Sequence, residues 1–313
     1  MQRAPIIATS ISVSLALAGC ARTPASERLA VWTQALAATQ ADGPEVLLFK
    51  RGSNKLAFVG VQHDSDPVSS THRLIESTFS VFSPKVVIVE GVPTSWGYNP
   101  AGLTELAAAK PDAQGLLQDG ETVPTVRGAL KSGSRLLGGE PSNADVRRLT
   151  AARGVSAEDL LGFYVLRVIP QWMSQCQFAD LSGDHATSLI DRQLIRSRSD
   201  LELGPEVLRD AEAWRRWRLN RNVGADPHQI VIEEAGPLAD GPWATSRIGA
   251  AISRARDSHL LEVTRSQLAE HGSVLIVFGG SHALIQLPAL EALMGKPCYR
   301  GKNIDAIPRS CRS

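Results

Sequence analysis

Three apolar runs in this sequence each stop at a residue able to bind a metal or move a proton. Leu56-Ala-Phe-Val-Gly60 leads into Val61-Gln62-His63, and Val86-Val-Ile-Val89 leads straight into Glu90. Val274-Leu-Ile-Val-Phe278 leads into Gly279-Gly280-Ser281-His282. The first and third share one spelling: strand, Gly-x-x-His, helix. Two imidazoles and a carboxylate are a donor set that suits a divalent transition metal with positions left for water and substrate. Such an ion lowers the pKa of its bound water and polarises a carbonyl. His63 and His282 are candidate ligands or a ligand–base pair, and Glu90 is the third ligand or the general base. A metal-free alternative uses His63 as base. No His-Glu-x-x-His signature occurs on one helix.

Arg256 is the fourth candidate. Ile248, Ile252, Leu260 and Val263 share its face of a helix at 3.6 residues per turn. An arginine inside an apolar stripe needs a buried anion. It either forms a structural ion pair, with Glu90 as one partner, or aims into the site to hold a carboxylate or stabilise an oxyanion. Among second-tier residues, Glu140 is a fourth acid at a strand end or a turn residue of Gly139-Glu140-Pro141, with Ser142 capping the next helix. Asp257 either orients Arg256 or a histidine, or is solvated. Asp66 reads as a helix cap, and Trp96-Gly97-Tyr98-Asn99-Pro100 as a loop on the pocket rim.

These residues need strand ends to bring them together, and the pattern supplies them. Glu45–Gly60 reads as a β-hairpin around Gly52-Ser53-Asn54, while 84–90 and 273–278 are short continuous apolar runs typical of doubly covered strands. Helices are expected over Ser26–Thr39, from Asp66-Pro67 to Phe82, over Trp243–Glu270 and over His282–Met294. The middle, 101–240, reads as mostly helical, with Ala157–Gln175 interrupted at Pro170 and another helix over Pro205–Asn222. Strands alternating with helices at both ends imply an α/β fold. It has a central mixed sheet, strand–Gly-x-x-His–helix halves and a helical insertion. In such sheets ligands bind beyond the carboxyl ends of the strands.

Gly60-x-x-His63, Val89-Glu90-Gly91, Arg256-Asp257 and Gly279-Gly280-Ser281-His282 together resemble the motif set of the Tiki/TraB/GumN superfamily, which includes erythromycin-esterase-like and haem-binding ChaN-like proteins. The resemblance spans roughly Glu45 to Gly295 and is carried by its two ends. It implies an α/β fold with a pseudo-repeated core and a pocket lined by His63, Glu90, Arg256 and His282. The implied activity is metal-dependent peptide or ester hydrolysis. Haem, or a metal bound without turnover, is the non-catalytic alternative for the same histidines.

At the amino terminus, Arg3 precedes an apolar run too short to span a bilayer, as in a signal peptide. The run ends in Leu17-Ala18-Gly19-Cys20, which resembles a bacterial lipobox. Residues 1–19 are then removed, Cys20 is lipidated (palmitate among its acyl chains), 20–28 form a tether, and one domain occupies 29–313. Ala21, in place of Asp, points to the outer membrane of a bacterial envelope. Export permits disulfides, so Cys298 and Cys311 could staple the tail, with Cys176 a buried free thiol on an apolar helix.

With 33 Lys+Arg against 32 Asp+Glu, the chain lacks the positive excess that a nucleic-acid binder uses to hold phosphates. Arg215, Arg216, Arg218 and Arg221 around Trp214 and Trp217 therefore read as a solvated helix face with two anchoring tryptophans, with a lid over the site as the alternative. The absence of Gly-x-Ser-x-Gly, Walker A and dinucleotide motifs lowers the case for a serine hydrolase, NTPase or nicotinamide enzyme.

Overall fold

The computed structural model describes residues 28–312. The expected signal peptide, the expected lipidation site Cys20 and nearly all of the expected tether lie outside them. Strands β1 (Glu45–Arg51) and β2 (Asn54–Val61) form the expected hairpin, turning at Gly52 with φ +61°. The other strands are β3 (Val86–Pro93), β4 (Arg135–Glu140), β5 (Ser273–Gly279) and β6 (Tyr299–Gly301). The sheet order is β4-β3-β5-β2-β1-β6. Neighbours from β4 to β2 run parallel, while β1 is antiparallel to both β2 and β6. The α/β class and the mixed sheet are as expected.

The helices that frame the sheet and its insertion are α1 (Ser70–Val81), α2 (Thr122–Ser132), α3 (Asn143–Ala151), α4 (Ala157–Leu166) and α5 (Ile169–Ser174). They continue with α6 (Asp184–Asp200), α7 (Ala211–Arg221), α8 (Ala244–His271) and α9 (Gly280–Met294). Alternation along each strand sends its side chains to two apolar layers. Leu47, Phe58, Ile88 and Ile276 pack toward α8 and α9, whereas Val46, Val59, Val87 and Val277 pack toward α1 and α2. Burial on both faces explains why these strands are continuous apolar runs. A third apolar cluster joins α3 to α7 around Trp214 and Trp217. The 28-residue α8 serves both layers, with Ile252 in the insertion cluster and Leu260 against the sheet.

Several boundaries differ from the pattern, each for a local reason. The stretch 101–240 is not all insertion, because β4 runs through it as a sheet strand beside β3. Among the described residues of 26–39, only Gln34–Ala37 is helical, capped by Thr33. Asp66 does not cap α1. Its carboxylate accepts from Val68 N in a tight turn, and Ser69 caps the helix by accepting from His72 N. The helix expected from Pro205 starts at Ala211, capped by Asp210. Pro170 breaks the 157–175 helix as expected, sitting in the first turn of α5.

Cys176 lies past the end of α5, exposed and with φ +56°, so it is not a buried helical thiol. Cys298 and Cys311 are disulfide-bonded and tie the carboxyl-terminal turn to the β6 side of the sheet. Trp214 and Trp217 are buried as anchors, with their indole N–H groups donating to Gly162 O and Asp159 Oδ1. No described helix is long and apolar enough to cross a membrane.

Candidate functional site

The four parallel strands end on one edge of the sheet, and each end delivers a polar side chain. β2 delivers His63, β3 Glu90, β4 Glu140, and β5 passes through Gly279 into α9, whose first turn carries His282. Glu90 leaves the sheet at a bulge where β3 shifts register against β4. Gly91 makes that departure with φ +79°, a conformation that a Cβ strains. A Cβ on Gly138 would lie 2.1 Å from Val92 O, so the β4 glycine admits the bulged backbone.

The expected residues converge. A β-carbon placed on Gly279 would stand 3.5 Å from Glu90 Oε2, 3.5 Å from His63 Nε2 and 3.7 Å from His282 Cδ2. Gly279 N donates to Glu90 Oε2 at 2.6 Å, clamping the carboxylate to the end of β5. His282 Nε2 lies 3.6 Å from Glu90 Oε1.

Each histidine is held at Nδ1 by a carboxylate. His282 Nδ1 donates to Asp257 Oδ1 at 2.8 Å, and His63 Nδ1 donates to Glu121 Oε1 at 2.6 Å. An ionised carboxylate only accepts, so both Nε2 atoms are left to act as lone-pair donors or proton acceptors. This outer hydrogen bond fixes tautomer and ring orientation in metal-ligating histidines. Burial alone would lower the His282 pKa, but the Asp257 charge and hydrogen bond outweigh it and raise the value. The Glu121 hydrogen bond is the main cause that raises His63. Asp257, fully buried, also accepts from Gln286 Nε2 at 3.2 Å and Ser253 Oγ at 3.3 Å.

Arg256 forms the expected structural ion pair with Glu90, and with Glu140 as well. Its Nε donates to Glu140 Oε2 at 2.8 Å, and its Nη2 to Glu140 Oε1 at 2.5 Å and Glu90 Oε1 at 3.0 Å. This paired fork is the strong form of carboxylate recognition. Burial works to lower the Arg256 pKa, but the two carboxylates more than offset it, and the cation is held firmly charged. Burial likewise raises Glu140, and the Arg256 charge outweighs it to leave Glu140 below the usual carboxylate value. Arg256 Nη1 makes no hydrogen bond with a described residue.

Glu140 is therefore a strand-end acid in the site, and Ser142 caps α3 just beyond it. Asp257 orients a histidine. Glu121 was not legible in the sequence. It precedes α2, and its loop is drawn to the 63–66 loop by Leu117 N donating to Ser65 O at 2.8 Å. The expected rim loop, 96–100, does not line the cavity beside the site. Asn99 pairs with Leu136 along the outer edge of β4, and Tyr98 OH donates to Gln267 beside His271, at the opposite edge of the sheet. Burial of Trp214 and Trp217 in the insertion cluster leaves no lid over the histidines from α7.

The donor chemistry of His63, Glu90 and His282 fits a divalent transition metal, with the outer carboxylates such a site uses. Among the described residues, no three or more His, Cys, Asp or Glu side chains are placed so that together they could hold a metal ion. Glu90 is shared with Arg256 and Gly279, and the His63 side chain, held by Glu121, is 67% exposed. Comparison with protein-family models, curated proteins and solved structures returned no match.

Proposed function

We propose that this protein is a metal-dependent hydrolase of the Tiki/TraB/GumN type, cleaving a peptide or small ester at the bacterial envelope, where Cys20 anchors it by lipid. One observation carries the reading: two histidines, each oriented by a carboxylate at Nδ1, meet Glu90 around Gly279 at the strand ends. His63, Glu90 and His282 would hold the metal. When bound it supplies a Lewis acid and a water of lowered pKa.

The chain's own groups do the rest. Asp257 and Glu121 keep the Nδ1 protons in place, so Nε2 presents a lone pair to the site. Arg256, seated on Glu140, fixes Glu90 and offers Nη1 to the oxygen that gains charge when the carbonyl is attacked. Gly279, with no side chain, leaves the reacting carbonyl room between the donors.

The full-length protein in detergent tests this by elemental analysis together with cleavage of p-nitrophenyl esters and fluorogenic peptides. Near one transition metal per chain is expected, lost in His63→Ala and His282→Ala, with turnover down by about 10²–10⁴-fold. No metal under any loading condition would remove the metal role. A hemin Soret band abolished by His63→Ala, without turnover, would replace hydrolysis by haem binding.

A further inference from the structure

Beside the histidines, a cavity of about 480 Å³ opens between the sheet and the insertion. Gly91, Glu140 and Arg256 form the wall it shares with the site, and Tyr164, Arg167 and Trp172 come from α4, α5 and their junction. Its size falls within the range of small-ligand pockets.

The cations of this cavity are not equivalent. Arg256 is matched by Glu140 and Glu90, and Arg196 lies 3.8 Å from Asp200. The Arg167 guanidinium has neither a hydrogen bond nor an ion pair with a described residue; it rests on the Tyr164 ring, 4.2 Å from the centroid. The buried arginine of the insertion shows the contrast, since Arg218 is bound by Glu234 and two backbone carbonyls. Stacking on an aromatic face orients a guanidinium while leaving its donor edge free. Arg167 is an exposed residue; desolvation lowers its pKa and the Arg256 charge adds to that effect, while Tyr164 and the Glu140 charge oppose it.

We infer that Arg167 anchors a carboxylate of the substrate, so that the site, on the hydrolytic reading above, acts on acidic peptides or acidic esters. The planar fork matches a carboxylate with two parallel hydrogen bonds. Glu140 and Arg256, shared by both spaces, set the distance between the anchored acid and the reacting carbonyl.

Equilibrium binding isolates this from turnover. Calorimetry on the full-length protein would compare a cleavage-resistant pair, N-acetyl-alanyl-N-methylglutamate amide and its N-methylglutamine counterpart. The acidic peptide is expected to bind about 10–100-fold more tightly, the scale of a charge-assisted pair. Arg167→Ala should abolish that preference, and Arg167→Lys, which keeps charge without the fork, should retain part of it; thermal melts confirm that each variant is folded. Equal affinities in the wild type, or a preference surviving in Arg167→Ala, would overturn the assignment. Failure of the hydrolytic reading has a different signature: no turnover and no metal, with the charge preference intact.

Discussion

His63 follows β2 across a loop whose helix starts only at Ser70, whereas His282 sits in the first turn of α9, directly after β5. The His63 side chain is 67% exposed and its partner Glu121 comes from a loop. The His282 side chain is 8% exposed and its partner Asp257 is fully buried on α8. One spelling, Gly-x-x-His, thus yields a histidine buried in the core and one exposed at the rim. The motif places a strand end and a histidine near it; the packing around it decides how deeply that histidine is buried.

The largest expected difference lies in the two carboxylates. Asp257→Ala leaves His282 without its buried acceptor, while Gln286 keeps the Asp257 carbonyl at 2.8 Å, and is expected to cost about 3–5 kcal/mol in urea unfolding. Glu121→Ala, facing an exposed histidine, should cost about 1 kcal/mol or less, while Glu121→Gln weakens metal affinity about 10–100-fold. Equal losses of stability in the two alanine variants would erase the distinction between core and rim.

The two motif glycines sharpen it at smaller scale. A β-carbon on Gly60 would come within 3.2 Å of Ala283 Cβ and Gly280 Cα, so Gly60→Ala should cost about 1–3 kcal/mol by forcing α9 off the sheet. On Gly279 the β-carbon makes only ordinary contacts, yet it fills the point where the donors meet. Gly279→Ala is expected to keep the melting temperature and lose metal and turnover. A destabilised Gly279→Ala that still binds metal would show that the open space belongs to folding.

The smallest effect concerns the wall between the histidine site and the neighbouring cavity. Glu140 has a folded-state pKa below its usual 4.5, so it contributes stability above that value and loses it as pH falls through the lower folded-state pKa. Glu140→Gln should therefore flatten the pH dependence of stability as pH falls below about 4.5, and urea midpoints above and below that value measure it. An unchanged slope would mean that Arg256 gains nothing from Glu140 beyond Glu90.

What was legible in the sequence depended on local order. The apolar strands, the long α8 and the residues at strand ends were readable because each is a periodic run closed by a break, as at His271-Gly272. Arg256 was readable because a charge inside an apolar stripe is anomalous. Glu121 was not, since nothing marks a carboxylate before α2 until two loops are drawn together. Glu140 was ambiguous because Gly138-Gly139-Glu140-Pro141 has the composition of a turn, and only pairing with β3 makes it a strand. The 96–100 loop failed as a rim because chain proximity to Glu90 says nothing about which way the backbone runs after a bulge.

The sequence alone determined the inventory: two histidines, Glu90 and Arg256, each beside a strand or on a helix face, in a near-neutral chain. Tertiary structure decided the partnerships. Asp257 lies 25 residues from His282 and Glu121 lies 58 residues from His63. Hydrogen bonds across such separations depend on how layers pack, which no local pattern encodes. The same packing left Arg167 without an ion pair among the described residues and placed Arg256 between two carboxylates, because a charge's partner is set by the fold around it.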